Sequence, residues 1–197
     1  MVKDEILKAK QQHRAKFTEG LLETDVVLDA LNICHGQTVV DAGCGNGYMS
    51  MLFSKKVGLS GMVYALDRDR FFLNALEREM EAVNIEVMEG DITRPTLLRE
   101  SSLDLVYIST VIHIFSRTQM QDFIREVRRV LKPDALLAIV EIEKRETPFG
   151  PPLASRYSPE ELMGVVPMVS GKTVKVGQYF YMQLFRNRAA GGDVESG

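Results

Sequence analysis

The chain has 197 residues, enough for a single large core and too few for two well-formed α/β domains. With 45% hydrophobic and 26% charged residues it has the make-up of a folded globular chain, which excludes a collagen-like or disordered one. A net charge of -3 supplies no electrostatic attraction to nucleic acid or anionic lipid.

Residues 3–17 are mostly good helix formers with a thin apolar stripe of Ile6, Leu7 and Phe17, so a helix is expected that packs weakly until something covers it, an arm or a lid. A second helix starts near Thr24 as N-cap, buries Val27, Leu28 and Leu31, and stops at Gly36. Thr38 to Gly47, TVVDAGCGNG, is an apolar run that ends in Asp41 and breaks into Gly43, Gly45 and Gly47. Val39 and Val40 suit a strand buried on both faces, and Met49, Leu52, Phe53 and Val57 fall at helical spacing, so the glycines lie between a strand and a helix N-terminus. Such a turn is expected to let backbone approach a ligand closely and to offer it free N–H groups.

After a loop at Gly58–Gly61, Met62 to Leu66 is a strand ending in Asp67, 20 residues beyond Gly47. Phe72, Leu73, Leu76, Met80 and Val83 repeat at helical spacing, and Ile85 to Met88 is a third strand that closes on Glu89, Gly90 and Asp91. Leu103 to Ile108 is a fourth strand opening into Ser109, Thr110 and His113. Ser116 with Gln119 fits a capping box for an amphipathic helix carrying Met120, Phe123, Ile124, Val127, Val130 and Leu131, whose other face, with Arg125, Arg128, Arg129 and Lys132, reads as solvated surface. Ala135 to Ile142 is a fifth strand, and Glu143 to Tyr157 a long proline-rich loop. Ser158, Pro159 and Glu161 start a short helix, and the runs Thr173–Val176 and Tyr179–Phe185 read as a hairpin about Gly177 and Gln178, followed by a loose tail over 189–197.

Strands alternating with helices imply an α/β fold, a doubly wound and mostly parallel sheet with an antiparallel C-terminal hairpin strand, seven strands in all. In such a sheet ligands lie beyond the carboxyl ends of the strands where strand order reverses, so Asp41, Asp67, Asp91 and Ser109 should face one crevice. Cys34 and Cys44 fit no disulfide framework, metal or redox motif, and His13, His35 and His113 are too far apart for a histidine metal site. The N-terminal MVKDEILKAKQQHR has no signal-peptide core and no stretch approaches a membrane span, so a cytoplasmic location is expected.

The dinucleotide fingerprint GxGxxG places its third glycine three residues after the second, and here the interval is two. DAGCGNG, YALD, EGDI, LDLVYIST and the helix ending RRVLKP instead resemble, in order and spacing, the class I S-adenosylmethionine-dependent methyltransferases over roughly residues 36–142. Within them the chain looks most like the small-molecule methyltransferases of ubiquinone and menaquinone biosynthesis, except that LKPDA stands where LKPGG is common. The resemblance implies a Rossmann-like fold, S-adenosylmethionine as cofactor and S-adenosylhomocysteine as product. It places Asp41, Cys44 and the backbone of Gly43 and Gly45 near the methionyl part, Asp67 on both ribose hydroxyls with Arg68 beside it, Asp91 on the adenine amino group, Ile92 on the ring and Ser109 near the methionyl group. A carboxylate suits a vicinal diol because its two oxygens can receive two donors. Taken along its length, the chain is expected to comprise an N-terminal helical cap (1–35), an S-adenosylmethionine-binding domain (36–188) and the tail (189–197).

Methyl transfer from a sulfonium is an in-line displacement, so alignment is the protein's main task and a base is needed only for an acceptor that arrives protonated. His113 is the candidate base if it faces the crevice, and a packed loop residue if it does not. No NPPY-like tetrapeptide follows the fourth strand, which argues against amide or base-amine methylation, and the lack of a second domain favours a small-molecule acceptor over protein or RNA. A non-catalytic cofactor-binding accessory protein and a nicotinamide oxidoreductase remain as alternative readings.

Overall fold

In the computed structural model, which describes residues 20–189, Val39 and Val40 are both fully buried although successive strand side chains face opposite ways. A strand buried on both faces needs a layer on each side, and the fold supplies both. The strands are β1 (Thr38–Ala42), β2 (Met62–Asp67), β3 (Ile85–Glu89), β4 (Leu103–Ser109), β5 (Leu131–Ile142), β6 (Met168–Lys175) and β7 (Phe180–Ala189). They form one sheet in the order β3-β2-β1-β4-β5-β7-β6. β1 to β5 run parallel, and β7 is antiparallel to both β5 and β6. The helices are α1 (Thr24–Leu31), α2 (Tyr48–Val57), α3 (Arg70–Glu79), α4 (Arg117–Val130) and α5 (Pro159–Val165).

One core packs Val27, Phe53 and Leu73 from α1, α2 and α3 on Val39, Val63 and Val140. The opposite core packs Phe123 and Val127 from α4 and Leu162 from α5 on Val40, Ile108 and Ile139. Strand order reverses between β1 and β4, so their carboxyl ends open the crevice expected of a doubly wound sheet. α4 and α5 start with the capping boxes read from the sequence, Ser116 with Gln119 and Ser158 with Glu161. Among the described residues, no helix is long and apolar enough to cross a membrane.

Several boundaries differ from the sequence reading. α1 has Glu23, not Thr24, at its N-cap with no side-chain cap bond, and it ends at Asn32 in the left-handed region, short of Gly36. A cap is worth about 1 kcal/mol, whereas burying Val27, Leu28 and Leu31 contributes about 1.5–3 kcal/mol each, so packing decides this helix. α3 stops at Glu79, which leaves Val83 84% exposed rather than on an apolar helix face. β5 begins at Leu131 and passes through Pro133, and β6 begins at Met168 with a register break between Ser170 and Thr173 around Gly171. α1 is tied to the far end of the sheet, where the Glu23 N–H donates to the Val176 carbonyl at 2.8 Å. The helix expected over 3–17 lies outside the described residues, as does the tail beyond Ala189.

Candidate functional site: the crevice at the strand ends

The glycine turn joins β1 to α2, and at two of its glycines close contacts leave no room for a side chain. Gly47, the N-cap of α2, has φ +76, and a Cβ there would lie 2.4 Å from Leu76 Cδ1 of α3. Gly43 has φ +77, and its Cβ would lie 2.6 Å from Val111 Cγ2. The expectation of free N–H groups is corrected at four positions by hydrogen bonds. Gly43 and Cys44 donate to the Leu66 carbonyl at 2.7 and 3.1 Å, Gly45 donates to Asp67 Oδ2 at 2.9 Å, and Gly47 donates to the Cys44 carbonyl at 2.9 Å. The turn therefore offers a ligand a bare backbone surface, and three of its N–H groups hold it to the end of β2.

Asp67 is the joint of this arrangement. Its Oδ2 accepts from Gly45 and its Oδ1 accepts from the Asp69 N–H at 2.8 Å, while Asp67 and Arg68 both line the crevice. A carboxylate has about four acceptor positions, so two remain for a ligand after these bonds. Beyond β3, Asp91 Oδ1 accepts from the Thr93 N–H at 2.9 Å and the Thr93 hydroxyl at 2.7 Å, and Oδ2 has no donor among the described residues. Ile92 and Gly90 lie beside it on the crevice wall.

At the end of β4, Ser109 and His113 are also on the wall, and Ser109 Oγ is buried with no hydrogen-bond partner. His113 Nδ1 is 3.0 Å from Glu141 Oε2. Glu141 lies in β5 with its side chain 1% exposed, and its Oε1 accepts from the Ile112 N–H at 3.0 Å. The crevice holds about 500 Å³, ordinary for a small-molecule site, and Val111, Ile114, Phe115 and Pro151 add apolar surface to its lining.

Of the ten residues expected at the site, Gly43, Gly45, Asp67, Arg68, Asp91, Ile92, Ser109 and His113 line this crevice. Asp41 and Cys44 are not on its wall. Asp41 is 3% exposed behind the turn, where Oδ2 accepts from Ser50 Oγ at 2.6 Å. Burial pushes its carboxyl up to about 7, opposed by the Ser50 hydroxyl and reinforced by the charge of Asp67. The Cys44 thiol is likewise pushed up, first by burial and then by Asp41 and Asp67.

The sequence reading missed Glu141, the lone acid in the apolar run LLAIVEI, a signal that marks a buried carboxylate in need of a partner. It also missed what holds the loop after β5. Arg156, 6% exposed, donates Nε to the Pro151 carbonyl at 2.8 Å. Its Nη1 donates to the Glu143 and Arg145 carbonyls and to Thr147 Oγ1 at 3.1, 2.8 and 2.9 Å, and its Nη2 to the Phe149 carbonyl at 3.2 Å. One guanidinium thus pins the segment that carries Gly150 and Pro151, so this side of the crevice is a braced wall.

A family model described as a methyltransferase domain matches residues 39–134. An uncharacterised methyltransferase of Synechocystis, sll0829, is 31% identical over 132 residues, 64% of this chain and 58% of that protein. The ubiquinone/menaquinone biosynthesis C-methyltransferase UbiE of Escherichia fergusonii is 26% identical over 134 residues, 66% of this chain and 51% of that protein. The chain thus spans just over half the length of these two relatives. The crystal structure of a SAM dependent methyltransferase from Aquifex aeolicus superposes with a TM-score of 0.81 at 28% identity, covering 91% of this chain and 98% of that one. Fold, motif order and these matches together support a class I S-adenosylmethionine-dependent methyltransferase that resembles the UbiE type.

Proposed function

We propose that the protein transfers the methyl group of S-adenosylmethionine to a small-molecule acceptor bound against the apolar lining of the crevice. The observation that carries this reading is the Asp67 carboxylate, fixed from two sides by backbone N–H groups yet open to the crevice with two acceptor positions left. In this reading Asp67 receives the two ribose hydroxyls, with Arg68 beside it. Asp91 Oδ2 receives the adenine amino group and Ile92 packs on the ring. The Cβ-free surface of Gly43 and Gly45 meets the methionyl part, and Ser109 Oγ, buried and unpartnered, gains a polar partner there. Asp41 and Cys44 act from behind, holding the turn.

When bound, the cofactor supplies a methyl group already activated on a positive sulfur. The chain's own residues then have three tasks. The strand ends align the acceptor with that methyl, the wall of Val111, Ile114, Phe115 and Pro151 excludes water, and His113 accepts the proton of an acceptor that arrives neutral. The size of the crevice and the apolar residues in its lining favour a compact, largely apolar acceptor over a protein or RNA. The relative named as a ubiquinone/menaquinone C-methyltransferase adds the reading of a phenolic or quinol ring as acceptor.

The test is a panel of phenols, quinols, thiols and amines, with bulk RNA and protein alongside, incubated with the protein and methyl-labelled S-adenosylmethionine. Release of S-adenosylhomocysteine is expected with at least one small acceptor class. Label entering only RNA or protein would overturn the acceptor assignment, and cofactor binding with no transfer to anything would favour a non-catalytic accessory role.

A further inference from the structure

Glu141 has no place in the apolar interior of a sheet unless it serves something, because an unpaired carboxylate there costs several kcal/mol. Its side chain is 1% exposed, its strand neighbours Val140 and Ile142 are buried, and the residue paired with it across the sheet is Tyr181. The Tyr181 hydroxyl donates to the Tyr157 carbonyl at 2.7 Å, so Glu141 has only two partners among the described residues. These are the Ile112 N–H, 3.0 Å from Oε1, and His113 Nδ1, 3.0 Å from Oε2. Both belong to the short 3-10 turn Ile112–Ile114 that follows β4.

We propose that Glu141 is a positioning residue that holds His113 in the tautomer with the proton on Nδ1, so that Nε2 presents its lone pair to the crevice, and that the acceptor is therefore protic, a hydroxyl or thiol. The inference rests on the methyl-transfer reading above. A carboxylate has acceptor sites only, so at 3.0 Å it calls for a donor on Nδ1 and leaves Nε2 bare. The same carboxylate, anchored by the Ile112 N–H, fixes the plane of the ring, and His113 is 17% exposed on the crevice wall. In the reaction the acceptor's proton moves to Nε2 and the electron pair it leaves on oxygen or sulfur forms the bond to the methyl carbon. The pair of the broken carbon–sulfur bond stays on the cofactor sulfur, and the imidazolium, stabilised by Glu141, later returns its proton to water. A carbon acceptor activated by a neighbouring phenol would make the same demand.

The substitution Glu141→Gln separates positioning from packing. Glutamine keeps an oxygen for the Ile112 N–H but turns an N–H₂ donor toward Nδ1, which moves the ring proton to Nε2. Nitrogen-15 spectra of histidine-labelled protein, with the His113 signals identified by their loss in His113→Gln, read the tautomer without any acceptor. We expect Nδ1–H in the parent and Nε2–H in Glu141→Gln, with S-adenosylmethionine affinity changed less than about twofold. With acceptors found in the screen above, turnover of a phenol that is neutral at the assay pH should fall about 100-fold. Turnover of one already ionised should fall less than about threefold. An Nε2–H tautomer in the parent, or equal losses for neutral and ionised acceptors, would overturn the proposal. The tautomer stands whether or not an acceptor is found, so a failed screen removes the methyl-transfer reading without deciding the role of Glu141.

Discussion

Replacing Asp41 by asparagine should alter the pH dependence of stability more than stability at any one low pH. The carboxyl is 3% exposed, accepts from Ser50 Oγ at 2.6 Å, and is pushed by burial from 3.8 to about 7, with the Ser50 bond acting against the shift and Asp67 with it. Between these values the native state keeps a proton that the unfolded chain has lost, so the free energy of unfolding falls as pH rises. The contribution of Asp41 is fully present below pH 3.8 and is lost by the time pH has passed about 7. A shift of this size amounts to about 4 kcal/mol over the whole window, of which about 3 kcal/mol lies between pH 5 and pH 8. Asparagine does not titrate and can still pair with Ser50, so the variant should lack this slope and be the more stable protein at pH 8. Urea unfolding followed by circular dichroism at pH 5, 6, 7 and 8, on parent and variant, measures the difference directly. Parallel stability curves would refute the reasoning, because they would mean that Asp41 is ionised in the native state across the range.

The other perturbations follow from the same geometry. Gly47→Ala should cost about 2–4 kcal/mol, combining left-handed backbone with a Cβ 2.4 Å from Leu76, whereas Gly45→Ala, with φ +55 and nothing within 4 Å, should cost about 1–2 kcal/mol. Equal losses in thermal or urea unfolding would remove the steric part of the argument. Arg156→Lys keeps the charge but cannot reach the five acceptors now held, so amide exchange over residues 145–152 should quicken about tenfold or more. Unchanged exchange would show that the loop is held by its apolar contacts instead.

What the sequence disclosed and what it hid have physical reasons. Asp67, Asp91 and Ser109 were legible because a strand ending in a polar residue before a loop is a local pattern, and a parallel sheet brings all such ends to one side. Asp41 ends the same kind of strand, yet its side chain turns inward to Ser50, and a one-dimensional pattern carries no information about which side of the turn a residue faces. The turn's N–H groups were expected to be free, but the acceptors of Gly43, Cys44 and Gly45, the Leu66 carbonyl and the Asp67 carboxylate, come from another strand. Glu141 and Arg156 were hidden for a related reason. One sits 28 residues from its histidine, and the other gathers carbonyls from a loop that has no regular spacing. The early end of α3 leaves Val83 exposed despite its place in the apolar pattern, and β6 runs through exposed Ser170 and Gly171 because it pairs with β7, which composition does not disclose.

The central claim is that the crevice between the strand ends binds S-adenosylmethionine through Asp67, and calorimetric titration of the parent and Asp67→Ala with S-adenosylmethionine, S-adenosylhomocysteine and NAD tests it most directly. We expect one site per chain for the two adenosyl compounds, none for NAD, and a loss of about 1.5–3 kcal/mol in the variant, roughly tenfold to 150-fold in affinity, the range for hydrogen bonds to a charged group. Binding of NAD in preference to the adenosyl compounds, or a variant that binds them as tightly as the parent, would contradict it.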